Sequence, residues 1–183
     1  MSLLRHLPNL ICVLRMALIW PILASLQAGN YQLTLALFLV AAVSDGADGF
    51  LAKRFGWTSE LGRVLDPAAD KLLLVSLFLV GTWLGLIPRW LCVAAVTRDF
   101  MIGLGAIVYR LIWGRIHGRP MLISKFNTLL QLLFLLVVIV RAAYGEPPAS
   151  VQSALAVMTL ITIVLSGGAY VRLSAQRALG VVG

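Results

Sequence analysis

Apolar residues in this chain come in long unbroken runs separated by short polar connections. A helix needs about 20 mostly apolar residues to cross the hydrocarbon core of a bilayer. Six segments meet that length: Leu10–Ala28, Tyr31–Leu51, Leu61–Leu86, Trp90–Ile112, Leu122–Ala143 and Val151–Leu173. Turn-forming residues stand between them: Gly29-Asn30, Gly56-Trp57-Thr58, Pro88, Gly114 to Pro120, and Gly145-Glu146-Pro147-Pro148. Runs such as Leu129–Val140 lack the in-and-out alternation of a membrane β-barrel. The pattern predicts an all-α integral membrane protein with six transmembrane helices, forming one domain over residues 1–183. Met1–Pro8 reads as a short interfacial helix, with Leu3, Leu4 and Leu7 on one side and Arg5 and His6 on the other. Arg15 interrupts the first run and five more runs follow, which argues against a signal peptide.

Composition strengthens this reading. The chain is 61% hydrophobic and 12% charged, whereas soluble domains carry about 25% charged residues. Fifteen basic residues against seven acidic ones give a net charge of +8. In a membrane protein such a surplus marks cytoplasmic loops and anionic head groups, so nucleic acid is not an expected partner. Arg5, Lys53, Arg54, Arg63, Arg110, Arg115, Arg119, Lys125, Arg172 and Arg177 fall on one side of the expected spans. Only Arg89 and Arg141 fall on the other. Both termini are therefore expected in the cytoplasm, most simply at a bacterial inner membrane. Cys12 and Cys92 lie inside apolar runs and imply no disulfide framework.

The acidic residues do not fit a purely structural role. Asp45, Asp48, Asp66, Asp70 and Asp99 fall within or at the edges of the spans. Each intramembrane carboxylate costs about 2.5–3.5 kcal/mol on insertion scales and needs compensation. Asp45 and Asp48 are spaced i,i+3, and Asp66 and Asp70 i,i+4. Such residues share a helix face, about 5–6 Å apart at Cβ. A turn around Phe55–Ser59 would fold the two helices back, bringing all four acids to similar depth near the cytoplasmic side. Four facing carboxylates repel or bind protons unless cations sit between them. Hard divalent ions with oxygen ligands, Mg²⁺ or Mn²⁺, resolve this, and a two-metal site is expected. Gly46, Gly49 and Gly62 beside the cluster would let a ligand or another backbone approach closely.

Asp45-Gly46-Ala47-Asp48-Gly49-Phe50-Leu51-Ala52-Lys53, followed by Gly62-Arg63-Val64-Leu65-Asp66-Pro67-Ala68-Ala69-Asp70, resembles the signature of the CDP-alcohol phosphatidyltransferases. That signature reads D-x-x-D-G-x-x-A-R, a spacer of about eight residues, then G-x-x-x-D-x-x-x-D. The departure is Lys53, where the family usually has Arg, so a cation is kept but the planar fork is lost. The resemblance implies transfer of a phosphatidyl group from CDP-diacylglycerol to an alcohol, with release of CMP. It implies that Asp45, Asp48, Asp66 and Asp70 ligate the divalent metals and that Asp70 is the general base. Gly49, Ala52 and Gly62 would floor the cytidine pocket, Lys53 would approach the diphosphate, and Asn9 and Arg15 resemble polar positions near the nucleotide. A carboxylate base and metal-neutralised phosphates suit such a reaction. No nucleophilic Ser or Cys setting and no P-loop is present in the sequence, so direct in-line transfer is expected.

The acceptor would be a glycerol-type alcohol. Arg98-Asp99 and Ser124-Lys125-x-Asn127-Thr128-x-x-Gln131 resemble the eukaryotic-type cardiolipin synthases of the family, whose acceptor is phosphatidylglycerol. Phosphatidylglycerophosphate synthases, whose acceptor is glycerol 3-phosphate, share Leu65–Lys71 but tend to differ at these later positions. Arg98, Arg115, Arg119, Ser124 and Lys125 are the candidate acceptor-binding residues, since basic groups pair with either phosphate. The plain alternatives are an Arg98 ion pair with Asp99 or another buried acid, and positive-inside topology for Arg115 and Arg119. Gly81-x-x-x-Gly85 reads as a helix-packing stripe that could join two copies in a homodimer. The rival from another class, a divalent-cation transporter, would spread acids along a path across the membrane instead of gathering them towards one side.

Overall fold

The computed structural model describes the backbone of residues 7–55, 62–113 and 122–178, and the side chains of residues 13–44, 69–105, 123–168 and 170. Those residues contain no strand and form six helices: α1 (Leu7–Gln27), α2 (Tyr31–Phe55), α3 (Gly62–Trp83), α4 (Arg89–Trp113), α5 (Leu122–Tyr144) and α6 (Ala149–Ala178). The six apolar runs thus become six helices, with ends that shift for local reasons. Leu7 and Pro8, the described end of the expected interfacial segment, belong to α1. The rest of that expected element, residues 1–6, lies outside the described residues. Further along, α6 runs on to Ala178, past the expected Leu173.

Left-handed glycines end α1, α3 and α5: Gly29, Gly85 and Gly145, the last with φ +79° and its N–H donating to the Arg141 carbonyl at 2.8 Å. Gly29 has φ +73°; its N–H donates to the Leu26 carbonyl at 3.2 Å, and Asn30 N–H donates to the Ser25 carbonyl at 2.9 Å. This is the paired bonding of a Schellman cap. Asn30 then caps α2, its Oδ1 accepting from Leu33 N–H at 3.2 Å. Gly85, with φ +75°, ends α3 in the same way through Leu86 N–H to the Gly81 carbonyl at 2.8 Å. The expected Gly81-x-x-x-Gly85 packing stripe is therefore corrected. Gly85 sits beyond the helix end, because a turn needs a positive φ that only glycine adopts without strain.

Two compact units emerge, one from α1, α2, α3 and Val138–Glu146, the other from α4, the first part of α5 and α6. In the first, α1 packs against both α2 and α3. Its core holds Ile22, Leu26, Phe38, Ala69, Leu77 and Phe78. A buried hydroxyl pair, Ser25 Oγ and Thr34 Oγ1 at 2.9 Å, ties α1 to α2 beside their turn. In the second unit α4 packs against α6. A Cβ on Gly105 of α4 would overlap the Tyr170 ring and hydroxyl, so only glycine admits this approach. Within α5 and α6, Ile123–Tyr144 and Ala149–Gly168 are long and apolar enough to cross a membrane, while Val13–Gln27 and Tyr31–Ser44 are shorter apolar stretches. Large apolar side chains such as Trp20, Val43, Phe100 and Val164 are exposed, a surface suited to lipid contact.

Candidate functional site

Arg15 lies in the apolar stretch of α1, yet it is 2% exposed and is the bulkiest fully buried side chain among the described residues. A buried guanidinium is costly without a carboxylate. Its partner is Asp70 of α3, with Arg15 Nη1 donating to Asp70 Oδ1 at 2.6 Å. The Asp70 side chain is 41% exposed. The pair is therefore asymmetric: one member is sealed between helices, while the other is held by it and still reaches the surroundings. Ala69, next to Asp70, is fully buried, and α3 packs on α1. Sequence reading placed Arg15 near a nucleotide but did not name Asp70 as its partner. The available signal was a lone charge in an apolar run, which demands an acid without saying which.

The other first-unit candidates have a defined backbone. Asn9 belongs to α1, Asp45, Asp48, Gly49, Ala52 and Lys53 to α2, and Gly62 and Asp66 to α3. Helix is continuous through both aspartate pairs, as the i,i+3 and i,i+4 argument requires. The side chains of these residues lie outside the described set, as does the expected convergence of the four carboxylates. Among the described residues no three His, Cys, Asp or Glu side chains come together. The donor set still suits a hard divalent cation, being carboxylate oxygen throughout, and the described member, Asp70, keeps a large part of its surface open.

In the second unit Arg98 of α4 is 4% exposed. Its Nη1 donates to Asp99 Oδ1 at 2.6 Å. Its Nη2 donates to Ser124 Oγ of α5 at 2.7 Å and to Ser166 Oγ of α6 at 2.5 Å. One planar fork thus joins all three helices of the unit. Of the expected acceptor residues, the structure brings Arg98 and Ser124 together. Lys125 is exposed beside them in sequence; Arg115 and Arg119 lie outside the described residues. The expected Arg98–Asp99 pair is present. Ser166 was not anticipated, since nothing in the sequence separates it from any other serine in an apolar helix. Below this cluster Thr162 Oγ1 donates to Asn127 Oδ1 at 2.9 Å, and Gln131 and Thr159 are buried. Asn127 of the sequence motif therefore bonds from α5 across to α6, and Gln131 of the same motif lies buried one turn further along α5.

The sequence profile of the CDP-alcohol phosphatidyltransferase family matches residues 5–166. The chain belongs to that family. The match covers both aspartate pairs, Arg15, Arg98, Ser124 and Ser166. Among curated relatives, the chain is 37% identical over 102 residues to the cardiolipin synthase (CMP-forming) of Streptomyces coelicolor, covering 52% of this chain and 47% of that protein. It is 28% identical over 150 residues to the CDP-diacylglycerol–glycerol-3-phosphate 3-phosphatidyltransferase of Bacillus subtilis, covering 69% and 77%. It is 33% identical over 112 residues to a probable phosphatidylglycerophosphate synthase of Mycobacterium tuberculosis, covering 58% and 52%. The chain thus spans about half the length of the first of these phosphatidyltransferase relatives.

Proposed function

We propose that the chain is a metal-dependent phosphatidyltransferase of anionic phospholipid synthesis. It moves the phosphatidyl group of CDP-diacylglycerol to a glycerol-type alcohol and releases CMP. The observation that carries this reading is the Arg15–Asp70 pair. Asp70 is the last acid of the family motif, and a buried cation from another helix holds it in place while leaving it 41% exposed. In the reaction the acceptor hydroxyl oxygen bonds to the phosphatidyl phosphorus. The phosphorus–oxygen bond to CMP breaks, and the hydroxyl proton passes to the Asp70 carboxylate. Arg15 fixes the direction of that carboxylate. Asp45, Asp48, Asp66 and Asp70 would hold Mg²⁺ or Mn²⁺, which would polarise phosphoryl oxygens and neutralise charge on the leaving CMP. Gly49, Ala52, Gly62, Lys53 and Asn9 are assigned to the CDP moiety.

The favoured acceptor is phosphatidylglycerol, giving cardiolipin, with Arg98, Ser124, Lys125, Arg115 and Arg119 as the phosphate-binding residues. The part-buried Arg98–Ser124 contact supports this, because it unites the two motifs that resemble the cardiolipin synthases. The second reading, glycerol 3-phosphate as acceptor, is favoured by the relative from B. subtilis, of which the chain covers 77%. We place the protein in the inner membrane as one domain of six spans, with both termini and the catalytic face in the cytoplasm. Incubating the purified chain with CDP-diacylglycerol, Mg²⁺ and each acceptor separately tests the assignment. Cardiolipin and CMP are the expected products. Phosphatidylglycerophosphate would establish the second reading, and CMP release with neither acceptor would refute the transferase.

A further inference from the structure

A groove of about 580 Å³ runs along the second unit between α4 and α6. That volume lies within the usual range for small-ligand sites, about 300–1,000 Å³. Its walls are almost wholly apolar, with Val93, Ala94, Met101 and Ile163 among them. Along α4 it extends from Arg89 to Ile102, a rise of about 20 Å at 1.5 Å per residue. One bilayer leaflet is about 15 Å deep in hydrocarbon, half of the usual core. The part from Arg98 back to Arg89, about 14 Å at the same rise, therefore has the length of a lipid chain lying along the helices.

Two further features single out its occupant. Arg98 forms part of the wall, and its Nε–H is buried with no acceptor, although its other nitrogens are bonded to Asp99, Ser124 and Ser166. The Asp99 carboxylate offsets the Arg98 charge, so what the groove wall offers is a fixed N–H donor without an acceptor, which complements a phosphate oxygen of a head group with an attached tail. Opposite it stands Gly167, where an added Cβ would meet only Arg98 Cγ, at 4.0 Å. The groove is thus kept open by the lack of a side chain at this point.

We propose that the α4–α6 groove seats one acyl chain of the acceptor, so that the acceptor is a lipid whose head-group phosphate lies at Arg98. This rests on the reading of Arg98 and Ser124 as acceptor residues and deepens it, because a groove for a tail has no use with a water-soluble acceptor. Lipid tails are as apolar as the groove, so seating one gains little from hydrophobic transfer. The gain is orientation, which holds the glycerol hydroxyl at a fixed reach from the phosphate contact. Gly167 and Val93 are specificity positions for this tail.

The test uses the full chain in nanodiscs, with CDP-diacylglycerol and either dioleoyl- or dihexanoyl-phosphatidylglycerol. Gly167→Leu fills the groove from α6, and Val93→Trp fills it from α4. In each variant, kcat/KM for the dioleoyl acceptor should fall at least tenfold further than for the dihexanoyl one. A dioleoyl acceptor carrying a diazirine near the chain end should label Trp90 or Val93, at the far end of the groove from the phosphate contact, in the unaltered protein. Equal losses on both acceptors, or labelling confined to other helices, would overturn the groove while leaving cardiolipin synthesis standing. An unaltered protein that turns over glycerol 3-phosphate alone would overturn both the groove and the lipid-acceptor reading. The product of the unaltered protein therefore separates the two failures. If neither variant folds, the labelling pattern decides.

Discussion

Arg15 of α1 and Asp70 of α3, 55 residues apart, meet at 2.6 Å with the arginine 2% exposed and the aspartate 41% exposed. The two members of this pair should respond differently to deletion. Removing Asp70 deprives a buried guanidinium of its carboxylate, a change that costs about 3–5 kcal/mol when a buried pair is broken. Removing Arg15 with a side chain of similar bulk leaves a carboxylate that surrounding polar groups can screen, a loss nearer 1 kcal/mol. Asp70→Ala should therefore lower the denaturation midpoint in detergent more than Arg15→Met does. The reverse order would show that the pair is not the anchor of α1 on α3.

Asp70→Asn keeps the shape and the contact with Arg15 but cannot take a proton. CMP release should drop by about 10²–10⁴, the usual range for general acid–base catalysis. Equilibrium binding of CDP-diacylglycerol should persist. Turnover at the original rate would remove Asp70 as the base.

Divalent metal should be required. Exhaustive EDTA treatment should abolish transfer, and Mg²⁺ or Mn²⁺ should restore it, because hard carboxylate oxygens prefer these ions. Asp45→Ala and Asp66→Ala should raise the metal concentration needed for half-maximal rate. Full activity after chelation would count against the assignment of the four aspartates.

Arg98→Lys should not be a mild change. Lysine supplies a single compact charge, whereas Arg98 bonds Asp99, Ser124 and Ser166 with one planar fork. The KM for the acceptor should rise at least tenfold, roughly 1.4 kcal/mol, with the KM for CDP-diacylglycerol changing far less. Initial-rate kinetics with each substrate varied in turn will show whether the loss is confined to the acceptor.

Gly85→Ala should destabilise the chain by about 1 kcal/mol, since φ +75° places a Cβ in the strained left-handed region. The space around Gly85 is open, so the cost is conformational and not steric. A melting-temperature shift should accompany unchanged acceptor preference.

How much of this was legible beforehand follows from the range of the forces involved. Helices, their connections and the caps at Gly29 and Gly145 depend on runs of neighbouring residues and on one residue's backbone freedom, and both are written locally. The aspartate motif is local as well, because helical spacing alone sets which acids can share a face. Gly85 was ambiguous, since a glycine near a helix end serves equally well as a packing surface or a cap, and only the observed φ separates them. Tertiary structure alone chose Asp70 as the partner of Arg15 and added Ser166 to the Arg98 fork. Those pairings join residues 55 and 68 positions apart. No periodicity reaches so far, and the choice is made by which helix faces pack together and leave a buried charge in need of oxygen.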